Sequence, residues 1–167
     1  GRPILFYSLR AFLRAGIRDV VVVVRSGDVD SVRSRLARHF SRTTLNLEVV
    51  AGGRERQDSV WNGIRAADSD IVLIHDAARP NASPKLIRAV CREAVRSGAC
   101  VPAVPVIDTL KRISNRRVVR TENRAGLYGV QTPQGFRREL LLRAIVSARK
   151  KGRVATDCAS LVESLGM

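Results

Sequence analysis

Five consecutive valines, Val20 to Val24, form the longest apolar run in the chain. β-branched side chains are stiff at χ1 and pack well on a pleated surface, so the run favours a strand. It is far shorter than the roughly 20 apolar residues that span a bilayer. It also lacks the polar alternation of a half-wetted strand. These features predict a strand over Asp19–Arg25 buried on both faces, and such strands belong to parallel sheets sandwiched between helices.

The flanking segments agree. Apolar residues at Ile4, Leu5, Leu9, Phe12 and Leu13 make a helical stripe over Ile4–Ala15, closed by Gly16. Gly27-Asp28 turns into a second helix, about Val29–Phe40. Leu45–Ala51 reads as a strand, broken by Gly52-Gly53 before a helix of about Arg56–Ala66. Ile71–His75 is a strand ending at Asp76. Ser83-Pro84 opens a helix to about Ser97, as an N-cap followed by proline at the first helical position. Ala99–Val104 is a further strand. Alternation of this kind predicts a Rossmann-like α/β fold, a mostly parallel sheet with helices on both faces. Beyond it, Thr109–Ile113 and Val118–Thr121 flank Ser114-Asn115-Arg116 as a hairpin arm, followed by helices over Arg137–Lys150 and Asp157–Leu165.

The chain's 167 residues suit one domain, and its 45% apolar content excludes disorder. No secretory signal is visible at the start of the sequence, and the three cysteines show no metal-ligand or CxxC spacing. The expectation is a cytoplasmic protein whose thiols are reduced and pack as small hydrophobes. The formal charge of +15 arises from 30 basic against 15 acidic residues. Nucleic-acid binders gather charge into a stripe and add aromatic platforms. Here arginine is spread over nearly every helix and aromatics are 4%. The pattern fits solvated helix faces and phosphate-binding positions, in a field that attracts anionic substrates.

Ligands of open parallel sheets bind at the carboxyl ends of strands, and three segments fall there. In Gly52-Gly53-Arg54-Glu55-Arg56-Gln57-Asp58-Ser59, paired glycines allow close backbone approach, and Ser59 lies in the first turn of a helix. The same residues also suit an ordinary tight turn. In His75-Asp76-Ala77-Ala78-Arg79-Pro80, a carboxylate at a strand end is placed to hold Mg²⁺, and Arg79 offers a planar fork to phosphate. A solvated Asp–Arg pair with a structural His75 is the plainer alternative. The third region comprises Asp108-Thr109-Leu110-Lys111, Asn123-Arg124 and Gln131-Thr132-Pro133-Gln134-Gly135-Phe136. Its hydroxyl and guanidinium groups suit a phosphomonoester, whereas β-propensity explains Thr109, and turn chemistry before a helix explains Pro133-Gln134-Gly135.

Taken in order, GGRERQDSV, VLIHDAARP, VPVIDTLKR, NRAGLYGVQTPQGFRRELLL and ATDCASLVESLG resemble the methylerythritol phosphate cytidylyltransferases of the non-mevalonate isoprenoid pathway. The resemblance runs from Gly1 through essentially the whole chain. It implies transfer of a cytidylyl group from CTP to 2-C-methyl-D-erythritol 4-phosphate with Mg²⁺ assisting. It further implies that Gly53, Arg54 and Ser59 contact the cytidine part, that Asp76 faces the metal and ribose, and that Ala77 faces the nucleotide. By the same resemblance Arg79, Thr109, Arg124 and Thr132 hold the methylerythritol phosphate, with Arg124 orienting it for attack. The arm, about residues 107–127, is expected to clasp a second subunit in a homodimer.

Four departures accompany the resemblance. The family opens with a strand and a glycine-rich loop around the CTP triphosphate, and closes on an Asn-x-Lys segment; neither has a counterpart in this sequence. Cys158 stands where an acidic residue is usual, and Asn81 where an apolar one is common. The expectation is a chain that holds the acceptor half of the site without the triphosphate cradle, is impaired alone, and leaves the first strand's position in the sheet unfilled. Two other functions stay open: a ribitol 5-phosphate cytidylyltransferase on the same scaffold, and a non-catalytic basic remnant that binds RNA or a partner.

Overall fold

The computed structural model describes residues 2–166; Gly1, where the resemblance begins, and Met167 lie outside the described residues. In chain order the elements are α1 (Ile4–Ala15), β1 (Asp19–Val24), α2 (Val29–Phe40), β2 (Asn46–Ala51), α3 (Arg56–Ala66), β3 (Ile71–Ile74), α4 (Pro84–Ser97), β4 (Ala99–Cys100), β5 (Ala103–Pro105), β6 (Lys111–Ser114), β7 (Arg117–Thr121), β8 (Tyr128–Val130), β9 (Gln134–Arg137), α5 (Arg138–Lys150) and α6 (Cys158–Glu163). The helix starts and stops follow local chemistry. Ser83 Oγ accepts from the Leu86 amide at the head of α4, and Gly98 closes that helix with φ +88°.

The valine strand pairs in parallel with β2, Val22 opposite Val49. Leu36, Phe40, Phe6 and Leu9 from α1 and α2 bury against this pair. α3 packs against both of its strands, so helices lie on both sides of the run, although only Val22 is buried and the other four valines are half-buried. A second sheet has the order β3-β9-β4. β9 runs antiparallel to both neighbours, with Phe136 opposite Val72 on one side and Ala99 on the other, so β3 and β4 run parallel to each other. Among the described residues the two sheets are not hydrogen-bonded to one another.

Three details depart from the sequence reading. Gln134–Arg137, read as a turn and a helix start, is the central strand of the second sheet. Its centre is fixed by packing: a Cβ on Gly135 would lie 2.9 Å from both Ala94 Cβ and Val90 Cγ1, so only glycine lets α4 sit this close. The stretch Ala99–Val104 is not one strand. Pro102 has no amide to give to a ladder; its carbonyl accepts from the Gln131 amide at 2.8 Å, and the chain divides into β4 on β9 and β5 on β8. The last helix is also shorter than Asp157–Leu165, with Asp157 as its cap rather than its first residue.

The main core joins the second sheet to α5 and α6 through Phe136, Leu141, Ile145, Val72, Ile64 and Leu161. The arm lies apart from it. β6 and β7 pair as an antiparallel hairpin, as expected. Its turn residues Asn115 and Arg116 have φ +49° and +62°, the left-handed pair that matches strand twist in a two-residue turn.

Candidate active site

A cleft of about 420 Å³ opens at the carboxyl end of β3. Its walls include Asp76 and Arg79 from the loop after β3, Arg56 from α3, Thr132 and Gln134 from the entry to β9, Thr156 and Asp157 just before α6, and Ser160 and Glu163 on it. The cleft thus lies at the strand end that the sequence reading singled out.

The Asp76 carboxylate sits between two guanidinium groups, with Oδ1 3.4 Å from Arg56 Nη2 and Oδ2 3.4 Å from Arg79 Nε. All three side chains are partly solvated, so each pair contributes at most about 1 kcal/mol. The contacts are at the long end of hydrogen bonding, and the carboxylate lines the cleft. Arg79 also donates to Gln131 Oε1.

Beneath the carboxylate a chain of hydrogen bonds fixes the loop. The Asp76 amide donates to Thr132 Oγ1 at 3.3 Å. Thr132 Oγ1 lies 2.9 Å from His75 Nδ1, and His75 Nε2 lies 3.0 Å from the Arg79 carbonyl. A carbonyl only accepts, so Nε2 carries the ring proton and Nδ1 receives the threonine hydroxyl. Burial of the ring pushes its pKa below the ordinary histidine value, against the hydrogen bond to the Arg79 carbonyl and the Asp76 charge. His75 is thus a neutral brace, consistent with a structural role.

The opposite wall is set by the start of α6. Asp157 caps the helix, accepting from the Ser160 amide at 3.0 Å, and takes a second hydrogen bond from Gln134 Nε2 at 2.8 Å. Burial alone would raise its pKa; the hydrogen bonds from Ser160 and Gln134, with the nearby Arg56 charge, outweigh it and hold the carboxyl below its usual value. Arg56 Nη1 reaches Cys158 Sγ at 3.4 Å. The Cys158 thiol is pushed up by burial, so it packs as the small hydrophobe expected of it.

The glycine pair is where α3 begins. A Cβ on Gly53 would fall 2.2 Å from Asp58 Cβ, and one on Gly52 2.8 Å from Ser59 Oγ. The Gly53 amide donates to Ser59 Oγ at 3.1 Å, and that hydroxyl donates to the Glu55 carbonyl at 3.3 Å. Glu55 and Asp58 form a capping box. The plainer reading of the segment holds: it is a built helix start whose glycines are required by close packing on Asp58 and Ser59.

Of the expected site residues, Asp76, Arg79 and Thr132 converge in the cleft. Ala77 follows Asp76 directly, its carbonyl 3.4 Å from Ser8 Oγ. Gly53, Arg54 and Ser59 lie at the helix start that carries Arg56, outside the cleft lining. Thr109 and Arg124 are exposed at the base of the arm, where Arg124 donates to the Ile107 carbonyl, and a single chain does not bring them to the cleft. The sequence reading gave no site role to Arg56, Gln134, Thr156, Asp157, Ser160 and Glu163. All six sit within motif strings already singled out, which was the available signal. Among the described residues no group of three or more His, Cys, Asp or Glu could hold a metal by itself. One accessible carboxylate fits Mg²⁺ nonetheless, because that ion binds through one or two carboxylates plus substrate phosphates.

The sequence model of the family described as "IspD: 2-C-methyl-D-erythritol 4-phosphate cytidylyltransferase" matches residues 1–167. A 2-C-methyl-D-erythritol 4-phosphate cytidylyltransferase of Bacillus velezensis is 41% identical over 167 residues, 99% of this chain and 71% of that protein. One from Shouchella clausii is 40% identical over 99% of this chain and 72% of its own length. The crystal structure of the Thermus thermophilus enzyme of that name superposes with a TM-score of 0.83 at 36% identity, covering 99% of this chain and 76% of that one. A 4-diphosphocytidyl-2C-methyl-D-erythritol synthase from Anaerococcus prevotii gives 0.85 at 29% identity, over 99% and 73%. Sequence and fold agree, and the chain belongs to the 2-C-methyl-D-erythritol 4-phosphate cytidylyltransferase family.

Proposed function

We propose that this chain carries its family's reaction, joining CTP and 2-C-methyl-D-erythritol 4-phosphate to give 4-diphosphocytidyl-2-C-methyl-D-erythritol and pyrophosphate. A phosphate oxygen of the acceptor attacks the α-phosphorus of CTP; a new P–O bond forms there, the bond to the β-phosphate oxygen breaks, and pyrophosphate leaves with that electron pair. Such transfers depend on positioning and charge neutralisation more than on covalent catalysis.

The observation that carries the proposal is the meeting of Asp76, Arg79, Arg56 and Thr132 in one strand-end cleft. Asp76 would hold a Mg²⁺ ion, which when bound neutralises phosphate charge. Arg79 presents a planar fork to the acceptor phosphate, and Thr132, already tied to Asp76 and His75, lines its seat. Gly53, Arg54 and Ser59 face the cytidine part, with Ala77 beside Asp76 on the nucleotide side. Thr109 and Arg124 reach the acceptor from the arm of a second subunit, Arg124 acting as the catalytic cation that orients the phosphate. That assigns residues 107–127 as a dimerisation arm on one cytidylyltransferase domain. The hairpin's exposed Ile113, Val118 and Val119 supply an apolar face for it. Among the described residues no helix is long and apolar enough to cross a membrane, and we place the reaction in the cytoplasm.

The matches lend no support to the ribitol phosphate or RNA-binding readings. Titration calorimetry with Mg²⁺ present separates the three. Binding of methylerythritol phosphate, weakened at least about tenfold by Arg79→Ala, is expected. Equal binding of ribitol 5-phosphate, or salt-sensitive RNA binding without acceptor binding, would refute the proposal.

A further inference from the structure

We infer that Gln134 is a positioning residue for the acceptor side of the cleft, acting by holding the start of α6 at a fixed distance from the Asp76 loop. The inference rests on the proposed reading of the cleft.

Gln134 is 2% exposed in the middle of the fold, beside the fully buried Phe136. A primary amide buried this way is costly unless its polar atoms are matched. Both are: Oε1 accepts from the Cys158 amide at 3.2 Å, and Nε2 donates to Asp157 Oδ2 at 2.8 Å. The orientation is forced, because a backbone amide only donates and a carboxylate only accepts. A single side chain thus satisfies the first amide of α6 and grips its capping carboxylate, leaving Asp157 Oδ1 free to take the Ser160 amide.

Thr132 and Gln134 reach opposite walls of the cleft from one short stretch. Thr132 holds the loop of Asp76 and Arg79, and Gln134 holds Thr156, Asp157 and Ser160 through α6. The spacing between the walls, the space in which the acceptor is proposed to lie, is therefore set by this pair. Arg56 depends on it too, since it spans Asp76 and Cys158. The nucleotide-side glycines and Ser59 are held by their own capping bonds, none of which involves Gln134.

The isosteric substitution Gln134→Glu tests this. When ionised, the new carboxylate has no donor for Asp157 and repels it; when protonated, its hydroxyl donates to Asp157 and its carbonyl accepts from Cys158, restoring the amide's pattern. Affinity for methylerythritol phosphate, taken as a ratio to wild type at each pH to cancel titration of the ligand, should be reduced about tenfold at pH about 8 and recover to within about threefold near pH 6. Affinity for cytidine monophosphate, the probe of the nucleotide side, should stay within about twofold throughout. Gln134→Met, which has no titratable group, should lose acceptor affinity without recovery and keeps the test available if the glutamate variant does not fold at high pH. Equal loss for both ligands, or a folded variant with wild-type acceptor affinity at every pH, would overturn the inference while leaving the cleft assignment standing. Failure of wild-type protein to bind methylerythritol phosphate would overturn both.

Discussion

His75 and Thr132, 57 positions apart in sequence, meet at 2.9 Å between Nδ1 and Oγ1 and together hold the backbone of Asp76 in place. The ring also packs on Phe12, with centroids 5.2 Å apart. This contact works only with an unprotonated Nδ1. Because burial holds the folded pKa below the unfolded value of about 6.5, the unfolded chain binds more protons just beneath that pH. The stability His75 supplies is then fully present above about pH 6.5 and declines as pH falls toward the folded value. Thermal melts of wild type and His75→Gln between pH about 7.5 and 5 should show wild type losing more stability than the variant over that interval. Parallel curves would show that the histidine is not neutral in the folded state.

Asp76→Asn separates function from stability. Its two ion pairs are partly solvated, so the variant should lose no more than about 1 kcal/mol of unfolding free energy. If the carboxylate holds Mg²⁺ and phosphates, removing its charge should lower pyrophosphate release by about a hundredfold or more. A variant that loses several kcal/mol of stability yet, where still folded, keeps its turnover, measured by denaturant titration beside an activity assay, would place Asp76 in the scaffold instead.

Gly53→Ala asks whether the glycine pair is needed for space. The added methyl would lie 2.2 Å from Asp58 Cβ, so the capping box must shift, at a cost of about 1–3 kcal/mol. Arg149, which donates to Asp58 at 2.8 Å and lies over the Trp61 ring, would move with it. Chemical denaturation should reveal the destabilisation, and cytidine monophosphate binding should weaken with it. Unchanged values for both would mean the loop relaxes freely.

Much of this was legible from local pattern. The valine run, the helix at Ile4–Ala15, the Ser83-Pro84 start and the Asn115-Arg116 hairpin turn each depend on neighbours in sequence, and each appears in place. The loop from Asp76 to Arg79 was legible because it follows a strand end. β9 was not. Pro133 and Gly135 signal a turn, four residues are too few for periodicity to register, and what makes Gln134–Arg137 a strand is pairing with Val72 and Ala99 across long stretches of chain. The α6 wall was missed for the same reason, since Gln134 and Asp157 become partners only once β9 is central. Phe136→Ala measures that hidden centrality: it removes a fully buried ring and should cost about 3–5 kcal/mol, read as a lowered denaturation midpoint. A loss below about 1 kcal/mol would mean β9 is dispensable to the core.

The arm provides the last prediction. Ile113 lies directly opposite Val118 on the hairpin, and both are more than 60% exposed. A two-stranded hairpin cannot bury such a pair by itself, so the pair is available to a partner surface. Thr109 and Arg124 stand at the base of the same arm, away from the cleft of their own chain. If the arm clasps a second subunit, Val118→Glu should weaken dimerisation by at least about tenfold in sedimentation equilibrium, since it puts a charge into an apolar contact. The circular dichroism spectrum should be unchanged, because the hairpin contributes nothing to the buried clusters. Acceptor affinity should fall in the same protein-concentration range as the dimer, because Arg124 and Thr109 would then be lost to the partner's site. A variant that is monomeric yet binds acceptor as wild type does would sever the arm from the site and leave the acceptor to Arg79 and Thr132 alone.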